Sequence, residues 1–576
     1  MKKGFVTSIR NNLLTKSLNA YFSQDKAGLH YIRFRSKPII NNCILYNSYQ
    51  GAGMICNPYA IFKNFLNCDF FGDYLHVWVI SDIHELNRLR QEYKQYPNVK
   101  FISRDKRNVK PYAKYMAKAK YIVENVSFPS YFSKRAGQIT INTWHSITVK
   151  TLGFDMPNGR VEQTHNVLRS FLQTDYIISA NSFMTNIFKN SYKLQGLYEG
   201  TIVEEGHPRN DVLINSDPEY VYKKMAARGI FINRTKKVIL YAPTWRGGSG
   251  SEVASNYKEC IRSYKGLHNA LNEKFSREYQ IIVKPHQYVY KQLTQQDKND
   301  MQFVPQHIDA NELLSIVDVL ISDYSSIYFD FMLTNRPIVF YIPDLEEYKK
   351  ERGIYFKPDE LPGPTATNVE GVCRIIENIE SEAETYKEIY TRTKDWACHH
   401  DDGHASRRII DMVFGNAAKY NACADFRTHK MKLLFNVGLM ANNGVTESFL
   451  SLLNRIDYDK YDVSVLCKLG NEANINRMHE NVRVFVRTDD SPVTLRNSYN
   501  LQRSIKNGHA DTNNISVNAI FETEFVRCFG NANFDYTFDY CGSDIYYQLL
   551  FEHGHIAKNI TGSDIEFLLE EADTNA

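Results

Sequence analysis

Val317-Asp318-Val319-Leu320-Ile321-Ser322-Asp323-Tyr324-Ser325-Ser326 joins an apolar run to a hydroxyl-rich turn. The run, Val317 to Ile321, reads as a buried parallel strand. Open α/β sheets bind ligands at the carboxyl ends of such strands. The following residues, Ile327 to Leu333, are apolar and helix-compatible. The turn therefore falls at a helix N-terminus, where free N–H groups and the helix dipole favour a phosphate. Ser325 and Ser326 add hydroxyl donors. The same residue types also make an ordinary helix cap, so the segment alone leaves both readings open.

Working outward, the chain alternates strand and helix patterns. Before this segment, strand runs include 43–46, 75–80, 99–102, 121–123, 139–142, 176–178 and 201–203; around it lie 237–241, 279–283, 301–304, 319–321 and 337–341. Strand, helix, strand at this spacing means parallel sheets, here two doubly wound domains facing across a cleft. A third series opens with Met431 to Gly438 and continues with 461–467 and 482–486. The expected division is a basic N-terminal segment 1–38, a first domain 39–215, a second 216–415, a linker 416–429 and a third unit 430–576.

Composition bounds the function. The 576 residues exceed one core. Net charge is +4, too weak to argue for nucleic acid. The 10 cysteines are scattered with no C-x-x-C pair, which argues for a reducing compartment and against a zinc ribbon. No run of 18 apolar residues spans a membrane. The N-terminal segment carries eight Lys and Arg against Asp25 alone, interleaved with Leu13, Leu14, Leu18, Tyr21 and Phe22. It suits either an anionic membrane surface or a solvated first helix.

Four further polar segments end apolar strands: Thr143-Trp144-His145, Gly206 to Asp211, Ala242-Pro243-Thr244-Trp245-Arg246-Gly247 and Lys284-Pro285-His286. In doubly wound sheets these ends converge with the serine turn on the cleft. Arg209, Arg246 and Lys284 suit a diphosphate; Thr244, Ser325 and Ser326 offer hydroxyls. His145 and His286 are the proton-transfer candidates. No acidic cluster points to a divalent metal, so no metal is expected and the cations carry the electrostatic stabilisation.

Together these motifs, with Lys150 to Gly153, His207 to Asp211, Asp330, Arg336-Pro337, Asp401-Asp402-Gly403 and Asn57-Pro58 after Gly51-Ala52-Gly53, resemble the CDP-glycerol glycerophosphotransferases. The resemblance covers roughly residues 40–415. It implies an α/β fold with a GT-B-like pair of Rossmann-type domains, the first acceptor-side and the second binding a CDP-alditol. It also implies transfer of a polyol phosphate, glycerol or ribitol, to a hydroxyl of a growing surface polymer, releasing CMP, at the inner face of the cytoplasmic membrane. No cofactor is implied beyond the CDP-glycerol or related donor. His145 would be the general base. His286 would act at the pyrophosphate with Arg209, Thr244, Arg246, Lys284, Ser325 and Ser326; Trp144 and Lys150 would face a polymeric or lipid-linked acceptor. The usual Gly and Pro after Trp-His are replaced here by Ser146-Ile147-Thr148-Val149. The third C-terminal Rossmann-like domain resembles the N-terminal half of a GT-B glycosyltransferase. A nucleotide-sugar glycosyltransferase and a non-catalytic scaffold are the competing classes.

Overall fold

The computed structural model describes residues 13–561 apart from 106, 158–160, 246–252, 416–421, 424–425, 469, 488–490, 508–514, 541–543 and 555. The first sheet is built from β1 (Ile40–Asn47), β2 (Leu75–Ile80), β3 (Val99–Ser103), β4 (Ala119–Glu124), β5 (Ile139–Asn142), β6 (Tyr176–Ser179) and β7 (Thr201–Glu204). The second holds β8 (Lys237–Ala242), β9 (Tyr279–Val283), β10 (Val319–Ser322), β11 (Ile338–Tyr341) and β12 (Thr365–Ala366). A short β13 (Ala422–Cys423) returns to the first sheet. The third sheet contains β14 (Met431–Gly438), β15 (Tyr461–Lys468), β16 (Arg483–Arg487), β17 (Phe534–Asp539) and β18 (Ile556–Thr561).

The strand orders are β13-β7-β6-β5-β4-β1-β2-β3, β12-β11-β10-β8-β9 and β16-β15-β14-β17-β18. All pairings are parallel except that of β13, which runs antiparallel along β7. Each order reverses once: between β1 and β4, between β8 and β10, and between β14 and β17. At such a reversal the two neighbouring loops diverge and open a crevice beyond the strand ends.

Burial explains the sheets. Every residue of β10 and β11 is buried, as is all of β2 after Leu75. Helices shield both faces, which is why these strands read as continuous apolar runs. Met301 to Val304, expected as a strand, makes only a single bridge, Phe303 to Val283. The stretch expected as a linker is partly structured, because Ala422 and Cys423 cover the exposed edge of β7.

Helix Ala405–Phe414 follows the second sheet in sequence but packs on the first. Ile409 and Ile410 join the core of Tyr46, Phe62 and Trp78, and Phe414 stacks edge-on against Phe65 at 5.0 Å. At the other end, helix Leu13–Phe22 lies against the third unit: Ser498 Oγ donates to the Ser17 carbonyl at 3.0 Å, and Val493 N–H donates to Gln24 Oε1 at 2.8 Å. The N-terminal segment is thus docked in part, with Leu14 and Phe22 left exposed. No helix among the described residues is long and apolar enough to cross a membrane.

Candidate active site

A cavity of about 590 Å³ lies between the first two sheets. The reversal of the first sheet supplies one wall, with Tyr49 after β1 and Val126 after β4, and the adjoining strand β5 adds His145. The reversal of the second supplies the other: Thr244 follows β8, and Ser325 and Ser326 follow β10. Lys150, Arg209, Lys284 and His286 line it as well. Two sheets whose crevices face each other therefore bring together His145, His286, Arg209, Thr244, Lys284, Ser325, Ser326 and Lys150. Arg246 lies outside the described residues.

The two histidines present opposite nitrogens. His145 Nδ1 lies 2.8 Å from the Asn125 carbonyl. A carbonyl only accepts, so Nδ1 carries the proton and Nε2 keeps its lone pair. Tyr49 N–H donates to Asn125 Oδ1 at 2.8 Å and so fixes that residue from the β1 side. At His286 the Tyr288 N–H points at Nδ1, 3.4 Å away, which makes Nδ1 the acceptor and Nε2 the protonated atom. Burial lowers His145 to about 4, helped by the Arg209 and Lys150 cations. Burial, then Lys150 and Lys291, lowers His286 to about 4. Both rings are neutral at physiological pH: one is a ready base, the other a neutral donor.

The serine turn is more open than a cap. Ser326 precedes helix Ile327–Phe331, which is only 5 residues long, and makes no capping hydrogen bond. Among the described residues Ser325 Oγ meets only Ile327 N–H, at 3.4 Å. Asp323 faces inward and accepts from Thr244 N–H at 2.9 Å and from Thr244 Oγ1 at 3.0 Å, tying the β8 loop to the β10 loop. Lys284 Nζ donates to the Ile308 carbonyl at 3.1 Å. Burial lowers Lys284 to about 8 against the pull of Asp309, and an arriving diphosphate would favour its charged form further.

Arg209 is already paired. Its guanidinium lies 2.7 Å from Asp330 Oδ2, and its Nη1 also donates to the His145 carbonyl. Its neighbours join the lobes in the same way. Asn210 Nδ2 donates to Asp401 at 2.9 Å and its Oδ1 accepts from Asn311 at 2.8 Å. Asp211 accepts from Ala405 N–H at 3.0 Å and Ser406 N–H at 2.6 Å, capping the returning helix. The His207 to Asp211 segment thus braces the cleft.

Trp144 does not line the cavity. A positive φ of 46° turns its indole into the core, 5.3 Å from Phe171 and 5.9 Å from Tyr192. Lys150 reaches the site from a loop pinned across the cleft: it bridges Ile354, and Thr151 N–H donates to the Gly353 carbonyl at 3.2 Å.

Asn57 was legible only as part of a motif, and its work is positional. Its Nδ2 donates to the Thr143 and Trp144 carbonyls at 2.9 and 3.0 Å, while its Oδ1 accepts from Arg209 N–H at 2.9 Å. Asp309 accepts from Cys56 N–H at 2.7 Å, another bond across the cleft. Glu124, beside Asn125, is fully buried and takes one bond from Asn47 Nδ2 at 2.7 Å. Burial raises it to about 8. Capping spacing, Asp309 to Glu312, was the available signal for Asp309; nothing in the sequence marked Glu124. Among the described residues no group of three His, Cys, Asp or Glu could hold a metal.

Comparison with known proteins bears on the family and the fold. The chain is 31% identical over 393 residues to the teichoic acid poly(glycerol phosphate) polymerase of Bacillus spizizenii, covering 65% of this chain and 92% of that one. It is 28% identical over 418 residues to the Bacillus subtilis protein of the same description, covering 71% of this chain but only 52% of that one. A solved structure of the wall teichoic acid polymerase TagF superposes with a TM-score of 0.55 at 25% identity, covering 70% of this chain and 97% of that one. The family model for CDP-glycerol:poly(glycerophosphate) glycerophosphotransferase matches residues 29–415. With more than half of its length inside that match, the chain belongs to the CDP-glycerol:poly(glycerophosphate) glycerophosphotransferase family.

Proposed function

We propose that the chain transfers glycerol phosphate from CDP-glycerol to a hydroxyl of a growing surface polymer and releases CMP. The observation that carries this is the pair of histidines in one cavity with opposite nitrogens available. The acceptor hydroxyl gives its proton to His145 Nε2 as its oxygen bonds to the phosphorus that bears glycerol. The bond from that phosphorus to the oxygen bridging to CMP breaks, and the electron pair leaves with CMP. His286 Nε2–H, Lys284, Ser325 and Ser326 hydrogen-bond the phosphate oxygens; Arg246 belongs to the same motif. Lys150 faces the acceptor. Arg209 keeps the lobes in register and neutralises Asp330.

Residues 39–215 are the acceptor-side domain and 216–415 the donor domain in this reading, with 430–576 a third doubly wound domain resembling half of a glycosyltransferase. Exposed Leu14 and Phe22, with Lys16 and Lys26 nearby, support a peripheral seat on an anionic membrane surface, where a lipid-linked acceptor would be met. Incubation with CDP-glycerol, CDP-ribitol and UDP-sugars separates the alternatives. CMP release from CDP-glycerol is expected. UDP release from a UDP-sugar with no CMP release would favour the glycosyltransferase reading.

A further inference from the structure

The family match ends at residue 415, yet the third sheet is locked onto the first lobe. Arg169, on helix Val161–Leu172 of the first lobe, is buried. It donates to the Phe132 and Pro129 carbonyls at 2.9 and 2.7 Å, and across the interface to the Arg527 carbonyl at 3.2 Å. Arg527 reaches back to the Ser130 carbonyl at 3.1 Å. Its charge is met by Glu524 at 2.6 Å, which also accepts from Arg487 at 2.9 Å. Gly530, at φ +62°, lies against the Leu172 carbonyl, where a Cβ would collide. Arg483 of β16 donates to the Gln195 and Lys193 carbonyls, each at 2.6 Å.

The segments held this way lie directly behind the base. Residues 126–133 continue from Asn125, whose carbonyl fixes His145 Nδ1. Helix Val161–Leu172 presents Phe171 to Trp144, the residue before His145. One hydrophobic cluster runs without a break from Trp144 and Phe171 to Phe521, Phe525 and Phe529 of the third unit. A well-packed core transmits displacement because it has little free volume to absorb it.

We propose that the third unit positions His145, clamping the segments behind the base through Arg169, Arg527 and Gly530. These are positioning residues: none lines the cavity. The proposal deepens the transferase reading and rests on it for its kinetic consequence. It gives the third unit a role in glycerophosphate transfer that needs no sugar transfer of its own.

The test uses the full chain with Gly530→Ala, Arg527→Gln and Arg527→Lys, the last kept as a variant that retains charge and foldability. Two readouts are taken: CMP release from CDP-glycerol, and hydrogen exchange of residues 126–133 and 143–152. Displacing a reacting group by about 1 Å costs on the order of 100-fold. Gly530→Ala and Arg527→Gln are expected to lower kcat by about tenfold or more. KM for CDP-glycerol should stay within about twofold, because Thr244, Ser325 and Ser326 stand in the other lobe. Arg527→Lys should recover part of the rate, and exchange in both segments should quicken. A folded Gly530→Ala chain with wild-type kcat, or with raised KM at unchanged kcat, would overturn the proposal. Wild-type protein that releases no CMP would instead refute the transferase reading, and exchange then decides the clamp alone: unchanged protection overturns it.

Discussion

Arg209 Nη2 lies 2.7 Å from Asp330 Oδ2, and this ion pair joins the lobe that carries His145 to the lobe that carries Ser325 and Ser326. Both residues are buried. Breaking such a pair from one side strands a charge in a poorly solvated site, which typically costs about 3–5 kcal/mol. Asp330→Asn should therefore lower stability by about that amount in urea unfolding and loosen the cleft. A loss under about 1 kcal/mol would show that Arg209 finds solvent or another partner.

The acid limb of activity follows from His145. Its base form is the active one, and burial lowers the ring from its ordinary 6.5 to about 4. The neutral form therefore persists as pH falls through 6.5 and is lost only near 4. The kcat/KM of the free enzyme should stay flat from pH 7 to about 5 and drop below that. A limb centred near 6.5 would mean that the ring is solvated in the working enzyme.

Glu124 gives a stability effect of the opposite sense. Burial raises its carboxyl from 4.5 to about 8, so the folded chain holds a proton that the unfolded chain has released. Between those limits the unfolded state binds fewer protons, and stability falls as pH rises. Glu124→Gln keeps an acceptor for Asn47 but has nothing to ionise. It should match wild type near pH 4.5 and exceed it by a few kcal/mol at pH 8. Parallel stability curves for the two proteins would refute the buried, protonated carboxyl.

Ser325 and Ser326 bear on the donor. Ser326 makes no capping bond and Ser325 only a long one, so neither is required by the helix. The double change to alanine should leave thermal stability nearly untouched, raise KM for CDP-glycerol and lower kcat. Each lost charge-assisted hydrogen bond is worth about 1.5–3 kcal/mol. A marked loss of stability with unaltered kinetics would return the pair to an ordinary cap.

Four strands were legible to the residue: 75–80, 139–142, 279–283 and 431–438. β12 and β13 were not, because two residues at a sheet edge carry no pattern. β17, Phe-Asp-Tyr-Thr-Phe-Asp, hides its burial behind alternate polar residues. The site was legible where strand ends determine position, since both sheet reversals deliver their loops to one cavity. It was not legible where a partner decides the role. Arg209 has the chemistry of a phosphate ligand, but Asp330, more than a hundred residues away, already holds its charge. Trp144 has the shape of a sugar-stacking residue, but a left-handed backbone angle turns it inward. The docking of the third unit depends on guanidinium-to-carbonyl bonds such as Arg169 to Arg527, which no local pattern announces.

The most direct measurement is CDP-glycerol-dependent CMP release by wild type and by His145→Ala, with donor affinity measured alongside. A positioned general base contributes about 10²–10⁴-fold. The account predicts a fall in kcat of that order while CDP-glycerol binding changes little, because His145 meets the acceptor. His145→Ala protein that releases CMP at the wild-type rate would contradict it.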